Sequence, residues 1–132
     1  MSEKTVEIIS LNNRLEVEVR DLSRILAGDR WLVRLEARAE IPLAREHFDS
    51  LPEKEMAFSG LEKALGPRIP YRYTRERHFV AQNDKDPIFH EFLAVFKENV
   101  LPYLRHPEFA RRFVLSRYRD LKKKDPRLFA SR

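Results

Sequence analysis

The segment from Arg30 to Pro42 alternates between apolar and polar residues. It constrains the fold of this chain more than any other feature of the sequence. Its sequence is RWLVRLEARAEIP. One set of alternate positions is apolar: Trp31, Val33, Leu35, Ala37, Ala39 and Ile41. The other set is mainly charged: Leu32, Arg34, Glu36, Arg38 and Glu40. Successive side chains of a strand point to opposite faces of its sheet. The pattern therefore predicts a central strand with one buried face and one solvated face, and we expect the rest of the chain to cover the buried face.

Two further strands are predicted before this segment. The first runs from Thr5 to Leu11 and the second from Arg14 to Arg20, and Asn12-Asn13 between them suits a tight hairpin turn. A connection from Asp21 to Asp29 follows, and its Gly28-Asp29 pair turns the chain into the central strand. If the second and third strands pair, four arginines and four glutamates share their outer face: Arg14, Arg20, Arg34 and Arg38 with Glu16, Glu18, Glu36 and Glu40. We therefore expect that face to be near charge balance and solvated.

The second half of the chain alternates helical and strand patterns. Ser50 has the properties of a helix N-cap, Gly66-Pro67 is a stop signal, and the spacing predicts a helix around residues 60–65. A fourth strand is predicted from Ile69 to Val80. Because neither of its faces is cleanly apolar, it suits an edge strand or one that runs past the core.

The last part of the chain is predicted to form two helices. Asp86 would cap the first, with Pro87 at its first position and Pro102 kinking or ending it near Leu101. Its apolar stripe is the strongest in the chain: Phe89, Phe92, Leu93, Phe96, Val100 and Leu104. The second helix would run over residues 108–123. The element order β-β-β-α-β-α-α predicts one α+β domain over residues 1–132, in two layers. Its antiparallel sheet would have about four strands, covered on one face by the C-terminal helices.

Composition narrows the classes of protein that the chain can belong to. The chain has 132 residues and contains no cysteine, which excludes disulfides, thiolate nucleophiles and cysteine zinc sites. No apolar run approaches the roughly 20 residues needed to cross a bilayer. The first ten residues, MSEKTVEIIS, have no apolar signal-peptide core. We therefore expect a cytoplasmic protein without a membrane partner.

Positive charge is concentrated in the second half of the chain. Residues 66–132 hold 16 Lys and Arg against 8 Asp and Glu, whereas residues 1–65 hold 10 against 13. The last predicted helix carries the cations of our first candidate nucleic-acid site: Arg111, Arg112, Arg119, Lys122, Lys123 and Lys124. Three of them, Arg112, Arg119 and Lys123, fall along one helical line with Ser116 and could follow a phosphate backbone. The alternative is a solvated helix face with cations near its C-terminus, where the helix dipole favours them.

A second candidate site interleaves aromatic and basic residues on the predicted fourth strand. It consists of Tyr71, Tyr73, Arg75 and Arg77. Base stacking combined with phosphate pairing is how proteins hold single-stranded nucleic acid. The segment lacks the glycines that RNA-recognition modules place between their aromatics, so it does not match that class. The alternative is an edge strand whose tyrosines pack under a helix.

No motif of catalysis, metal binding or cofactor binding is present. The four histidines, His47, His78, His90 and His106, show no metal-ligand spacing, and three glycines form no phosphate-binding loop. We therefore expect no catalytic residue, no metal and no cofactor. Our leading hypothesis is a non-catalytic protein-interaction or accessory domain, which would bind a protein partner or a second copy. The alternatives are nucleic-acid binding by the basic C-terminal helix, and a small-molecule binder or enzyme whose site is assembled from scattered residues.

Overall fold

The computed structural model describes residues 4–130, which form an antiparallel sheet of five strands together with helices. The strands are β1 (Lys4–Ser10), β2 (Glu16–Asp21), β3 (Arg24–Ala27), β4 (Arg30–Pro42) and β5 (Arg68–Ala81). The α-helices are α1 (Lys54–Leu65), α2 (Lys85–Val95), α3 (Leu101–Leu104) and α4 (Phe109–Lys124). The predicted two-layer α+β class is confirmed.

The chain groups into two compact units, and the division falls within β4 and β5. Unit 1 contains residues 4–39 and 71–106, and unit 2 contains residues 40–70 and 107–130. The expectation of a single domain stays a prediction.

The strands β2 and β3 follow one another along the same side of β4, and both pair with it antiparallel. Asp21 lies opposite Leu35, and Arg24 lies opposite Leu32, so the register continues without a shift between the two strands. At the interruption, the Arg34 N–H donates to the Ser23 hydroxyl oxygen at 3.0 Å. The prediction of a plain connection over residues 21–29 is therefore wrong, although its Gly28-Asp29 turn is confirmed.

The position of β5 in the sheet follows from this arrangement. Because β2 and β3 occupy the same side of β4, β5 pairs with the opposite side. Within residues 4–130 no further strand pairs with β5, so it is an edge strand, one of the two positions that its mixed polarity allowed.

The predicted central strand is confirmed with the predicted bounds. On its inward face Val33, Leu35 and Ala37 are fully buried, whereas Trp31 is half-buried. The outer face departs from the prediction because Leu32 and Glu36 are buried as well, Glu36 with 7% of its surface exposed.

Paired charges explain how the sheet keeps a carboxylate in this position. Arg72 Nε lies 3.1 Å from one Glu36 oxygen, and Arg20 Nη1 lies 3.8 Å from the other. A second pair joins β4 to β5 on the same face, because the Arg34 Nε–H donates to Glu76 at 2.6 Å. Three residues of the face that was expected to be charge-balanced, Arg20, Arg34 and Glu36, are thus held in ion pairs, two of which involve residues of β5.

The predicted long helix contains a π-helical segment from Phe96 to Val100, between α2 and α3. A proline has no N–H to donate, and its ring collides with the carbonyl four residues earlier. The wider π-turn just before Pro102 relieves this conflict, and the helix continues as α3 to Leu104 instead of ending near Leu101. The helix lies on the sheet face that the sequence indicated, with the Lys85 ammonium 4.8 Å from the centre of the Trp31 ring.

Two helix N-caps and one turn conformation differ from the sequence prediction. The N-cap of α1 is Glu53 rather than Ser50, and that of α2 is Asp84 rather than Asp86. In the first hairpin the left-handed residue is Arg14, with φ 70°, and not one of the two asparagines before it. The predicted stop at Gly66 is confirmed, because this residue is the C-cap of α1 with φ 86°.

Aromatic side chains form the core of unit 2. Phe48 ends a 3-10 turn (Arg45–Phe48), and its ring meets Phe58 of α1 and Tyr118 of α4 edge-on. A second 3-10 turn (Pro126–Phe129) follows α4 and buries Phe129 against Tyr118, at 4.9 Å between ring centres. The sequence pattern predicted neither of these turns.

Near its end, β5 departs from regular alternation. Phe79 has φ 57° and 69% of its surface exposed, whereas Val80 is buried. The alternating pattern placed Phe79 on the same face as Ile69 and Tyr71, but the left-handed residue turns its ring outward.

The left-handed backbone of Phe79 is expected to be strained. A left-handed conformation costs a residue with a Cβ atom about 1–2 kcal/mol, a penalty that glycine escapes at some cost in backbone entropy. We therefore expect the Phe79→Gly variant to unfold with a free energy about 1 kcal/mol higher than that of Phe79→Ala, as measured by urea denaturation. Both variants lose the exposed ring, so their difference isolates the backbone. Equal stability would show that position 79 is not strained.

Candidate binding surfaces

The predicted basic line on α4 is present on the surface of the protein. Arg112, Ser116, Arg119 and Lys123 are all exposed, whereas Val114, Leu115 and Tyr118 on the inner side are buried. The helix thus buries its apolar face within unit 2 and leaves the basic residues in water.

Two of the six candidate cations on α4 are held by carboxylates. Arg111 Nε lies 2.6 Å from Glu108, one turn earlier on the chain. Lys122 Nζ lies 3.6 Å from Glu53, which also accepts a hydrogen bond from the Tyr118 hydroxyl at 3.0 Å. A backbone hydrogen bond at Glu53, together with the Tyr118 hydroxyl and the Lys122 charge, lowers the pKa of Glu53. Both cations therefore serve the packing of unit 2.

The other four cations make no such contact. Within residues 4–130, no carboxylate forms an ion pair with Arg112, Arg119, Lys123 or Lys124. All four are exposed. This set, which we call the α4 basic row, is available to an external anion.

The structure places the tyrosines of the second candidate site against the helical layer. The Tyr73 ring is half-buried, with its centre 5.3 Å from that of Phe96. Tyr71 is also half-buried, and burial raises its pKa. The two rings therefore match the packing alternative stated above and do not form an open stacking platform for bases.

The two arginines of that site converge on one buried ring. The guanidinium carbons of Arg75 and Arg77 lie 5.3 and 5.5 Å from the ring centre of Phe92. Both residues are exposed, and neither forms an ion pair in the part of the chain that the structure describes. On the opposite face of β5, by contrast, Arg72 and Glu76 are ion-paired with β4.

Unit 1 also has a small surface cavity of about 200 Å³. It is lined by Lys4, Asp21, Ser23, Trp31, Lys85, Asp86 and Phe89. Its two carboxylates already have partners, since Asp86 lies 3.0 Å from Lys85 Nζ, and Asp21 accepts the Ser23 N–H at 2.9 Å. A binder or enzyme with a site assembled from scattered residues would need convergent, unsatisfied polar groups, and these carboxylates do not supply them.

The histidines lie on separate elements. His47 Nδ1 accepts the Ala44 N–H at 3.4 Å, and partial burial lowers the pKa of His47. His90 Nδ1 is 2.8 Å from the Asp86 carbonyl within the same helix, and His78 lies 3.8 Å from Glu76. Across residues 4–130, no group of three or more His, Asp or Glu side chains is arranged to hold a metal ion.

Comparison with known proteins adds no assignment. No protein-family model matches the chain, and neither a curated protein nor a solved structure matches it significantly. Among the residues that the structure describes, no helix is both long enough and apolar enough to span a bilayer.

Proposed function

We propose that this protein is a non-catalytic nucleic-acid-binding module, located in the cytoplasm, that holds a phosphate backbone on the α4 basic row. The observation that supports this most directly is that Arg112, Arg119 and Lys123 share one exposed line and have no ion pair within residues 4–130. Arg111 and Lys122, the neighbouring cations on α4, are instead paired with carboxylates of unit 2.

The geometry of the row suits a repeating polyanion. Arg112 and Arg119 are two helical turns apart, and Lys123 follows one turn later, so the row spans roughly 16 Å along the helix axis. Arginine offers planar, bidentate hydrogen bonding to phosphate, and lysine adds a point charge. Contacts of this kind bind the backbone without reading the base sequence.

The affinity for nucleic acid should fall steeply with salt. Each phosphate contact releases condensed counterions, which gives a slope of about −0.7 to −0.9 in log affinity against log salt. Three or four contacts predict a slope of about −2 to −4 between about 50 and 200 mM salt. Fluorescence anisotropy with labelled single- and double-stranded oligonucleotides of mixed sequence measures this slope directly.

A charge-reversal variant tests the residues. We expect Arg112→Glu/Arg119→Glu/Lys123→Glu to weaken binding at low salt by at least about 100-fold, since it removes the contacts and adds repulsion. The matched control is Arg24→Glu/Lys63→Glu/Arg68→Glu, which changes the net charge equally at exposed positions outside α4. The proposal is wrong if the wild-type protein binds neither oligonucleotide at low salt, or if the control loses as much affinity as the α4 variant.

The protein-interaction hypothesis allows either an exposed sheet edge or the C-terminal helix as the binding surface. The edge of β5 in unit 1 is such a sheet edge, and it shares no residue with the α4 basic row.

A further inference from the structure

We propose that the free edge of β5 binds an extended acidic peptide segment as an additional strand, and that alternate carboxylates of this segment pair with Arg75 and Arg77. The surface is formed by Thr74 to Phe79, and we call it the β5 edge. This proposal gives the protein-interaction hypothesis a site and a partner of defined chemistry. It goes beyond the proposed nucleic-acid binding and does not rest on it.

The β5 edge is accessible to another extended chain. All six residues from Thr74 to Phe79 are exposed, and within residues 4–130 no other strand pairs with the side of β5 that faces away from β4. The unpaired N–H and C=O groups of an edge strand are a template for another extended chain. Proteins that recognise peptides by strand addition gain affinity from these main-chain bonds and specificity from alternate side chains.

One face of the β5 edge carries positive charge that no described carboxylate balances. Arg75 and Arg77 both lie over Phe92, so two like charges share one ring and have no carboxylate partner among the described residues. Their attraction to the ring does not remove their mutual repulsion. An anionic ligand would satisfy both groups, and carboxylates are well suited because arginine binds them in a bidentate manner.

The spacing of these two positive charges matches the spacing of side chains on an added strand. Residues two apart on a strand point to the same face, and directly paired strands bring opposing side chains to within about 5 Å. Two acidic residues separated by one position on an added strand would therefore meet Arg75 and Arg77. A helical ligand does not present side chains at this spacing.

The opposite face of β5 constrains the residue between the two acids. Glu76 lies there and is held by Arg34 at 2.6 Å. A third carboxylate facing Glu76 would be repelled, so the intervening side chain should be neutral or basic. The expected ligand thus has an acidic, a neutral or basic, and an acidic residue at three successive positions.

The experiment uses labelled synthetic peptides and the full chain. One peptide alternates Glu with Thr, a second has the same composition with its glutamates in one block, and a third alternates Lys with Thr. We expect the wild-type protein to bind the alternating Glu peptide at least about tenfold more tightly than the block peptide, because the block also places carboxylates on the opposite face, where Glu76 repels them. A central proline in the alternating peptide should abolish binding, because it breaks the added strand.

Variants of the protein test the two arginines. Arg75→Glu/Arg77→Glu should lose the alternating Glu peptide and gain the alternating Lys peptide, and that gain also shows that the variant is folded. The matched control Arg24→Glu/Arg105→Glu changes the same charge at exposed positions away from β5 and should bind as the wild type does. Equal binding of the block and alternating peptides, no reversal in the variant, or no binding of any peptide would each overturn the proposal. Because the α4 basic row is unchanged in these variants, oligonucleotide binding reports separately on the proposed function.

Discussion

Replacing Phe48 with alanine is expected to lower the free energy of unfolding by about 3–5 kcal/mol, which makes it one of the two most damaging changes that we predict. The Phe48 side chain is completely buried. Its ring centre lies 6.3 Å from that of Phe58 and 6.0 Å from that of Tyr118, and both rings meet it edge-on. Alanine would leave a cavity between α1 and α4, which those neighbouring rings could fill only in part.

Urea denaturation of Phe48→Ala, Phe48→Leu and Phe79→Ala measures this effect with its controls. Phe48→Leu keeps most of the volume and should cost less than about half as much. Phe79→Ala removes the same atoms from a side chain that is 69% exposed, and we expect a change within about 0.5 kcal/mol. A loss below about 1 kcal/mol for Phe48→Ala would contradict the central packing role of this ring.

The parts of the fold that the sequence predicted well are long and regular. The alternation between Arg30 and Pro42 extends over enough positions to fix both the bounds of β4 and its buried face. The periodicity of α4 likewise placed Arg112, Arg119 and Lys123 on its exposed side. In both elements the local pattern and the tertiary packing agree.

The elements that the sequence did not reveal depend on partners distant in the chain or on a single backbone angle. Three of the four residues of β3 are exposed, and the strand is defined by its pairing with β4. At Phe79, one left-handed residue reverses the alternation of β5, and a count of alternate positions has no means of detecting this. The carboxylate of Glu36 is buried because Arg20 and Arg72 approach it from two other strands.

The candidate sites were predicted from residue type, but the sequence did not show which of their cations are free of ion pairs within the described residues and so able to bind a ligand. The pairing of Arg111 with Glu108 could have been found from their spacing of three on one helix. The pairing of Lys122 with Glu53 joins residues far apart in the chain, so only the fold shows it. For the same reason, the convergence of Arg75 and Arg77 on Phe92 appears only in three dimensions.

Helix α1 packs closely against Leu128 and Phe129 near the end of the described chain. This packing reverses the usual effect of replacing a helical glycine with alanine. Alanine is normally more stable than glycine inside a helix by about 0.5–1 kcal/mol. A Cβ atom at Gly60 would instead lie 2.6 Å from Cε1 of Phe129 and 2.8 Å from the carbonyl oxygen of Leu128. We therefore expect Gly60→Ala to lower the free energy of unfolding by about 1–3 kcal/mol, which is typical of overpacking.

A double-mutant cycle with Phe129 distinguishes this contact from a general intolerance of α1 to substitution. Phe129 is 5% exposed, and Phe129→Ala alone should cost about 3–5 kcal/mol. Because that variant removes the ring but leaves the Leu128 carbonyl oxygen in place, Gly60→Ala should cost clearly less in the Phe129→Ala background than in the wild type. We expect a coupling free energy of at least about 1 kcal/mol. Ser59→Ala, at the exposed neighbouring position of α1, controls for helix propensity and should change stability by less than about 0.5 kcal/mol. Additive effects of the two substitutions would show that the end of the chain does not pack on α1 as the structure places it.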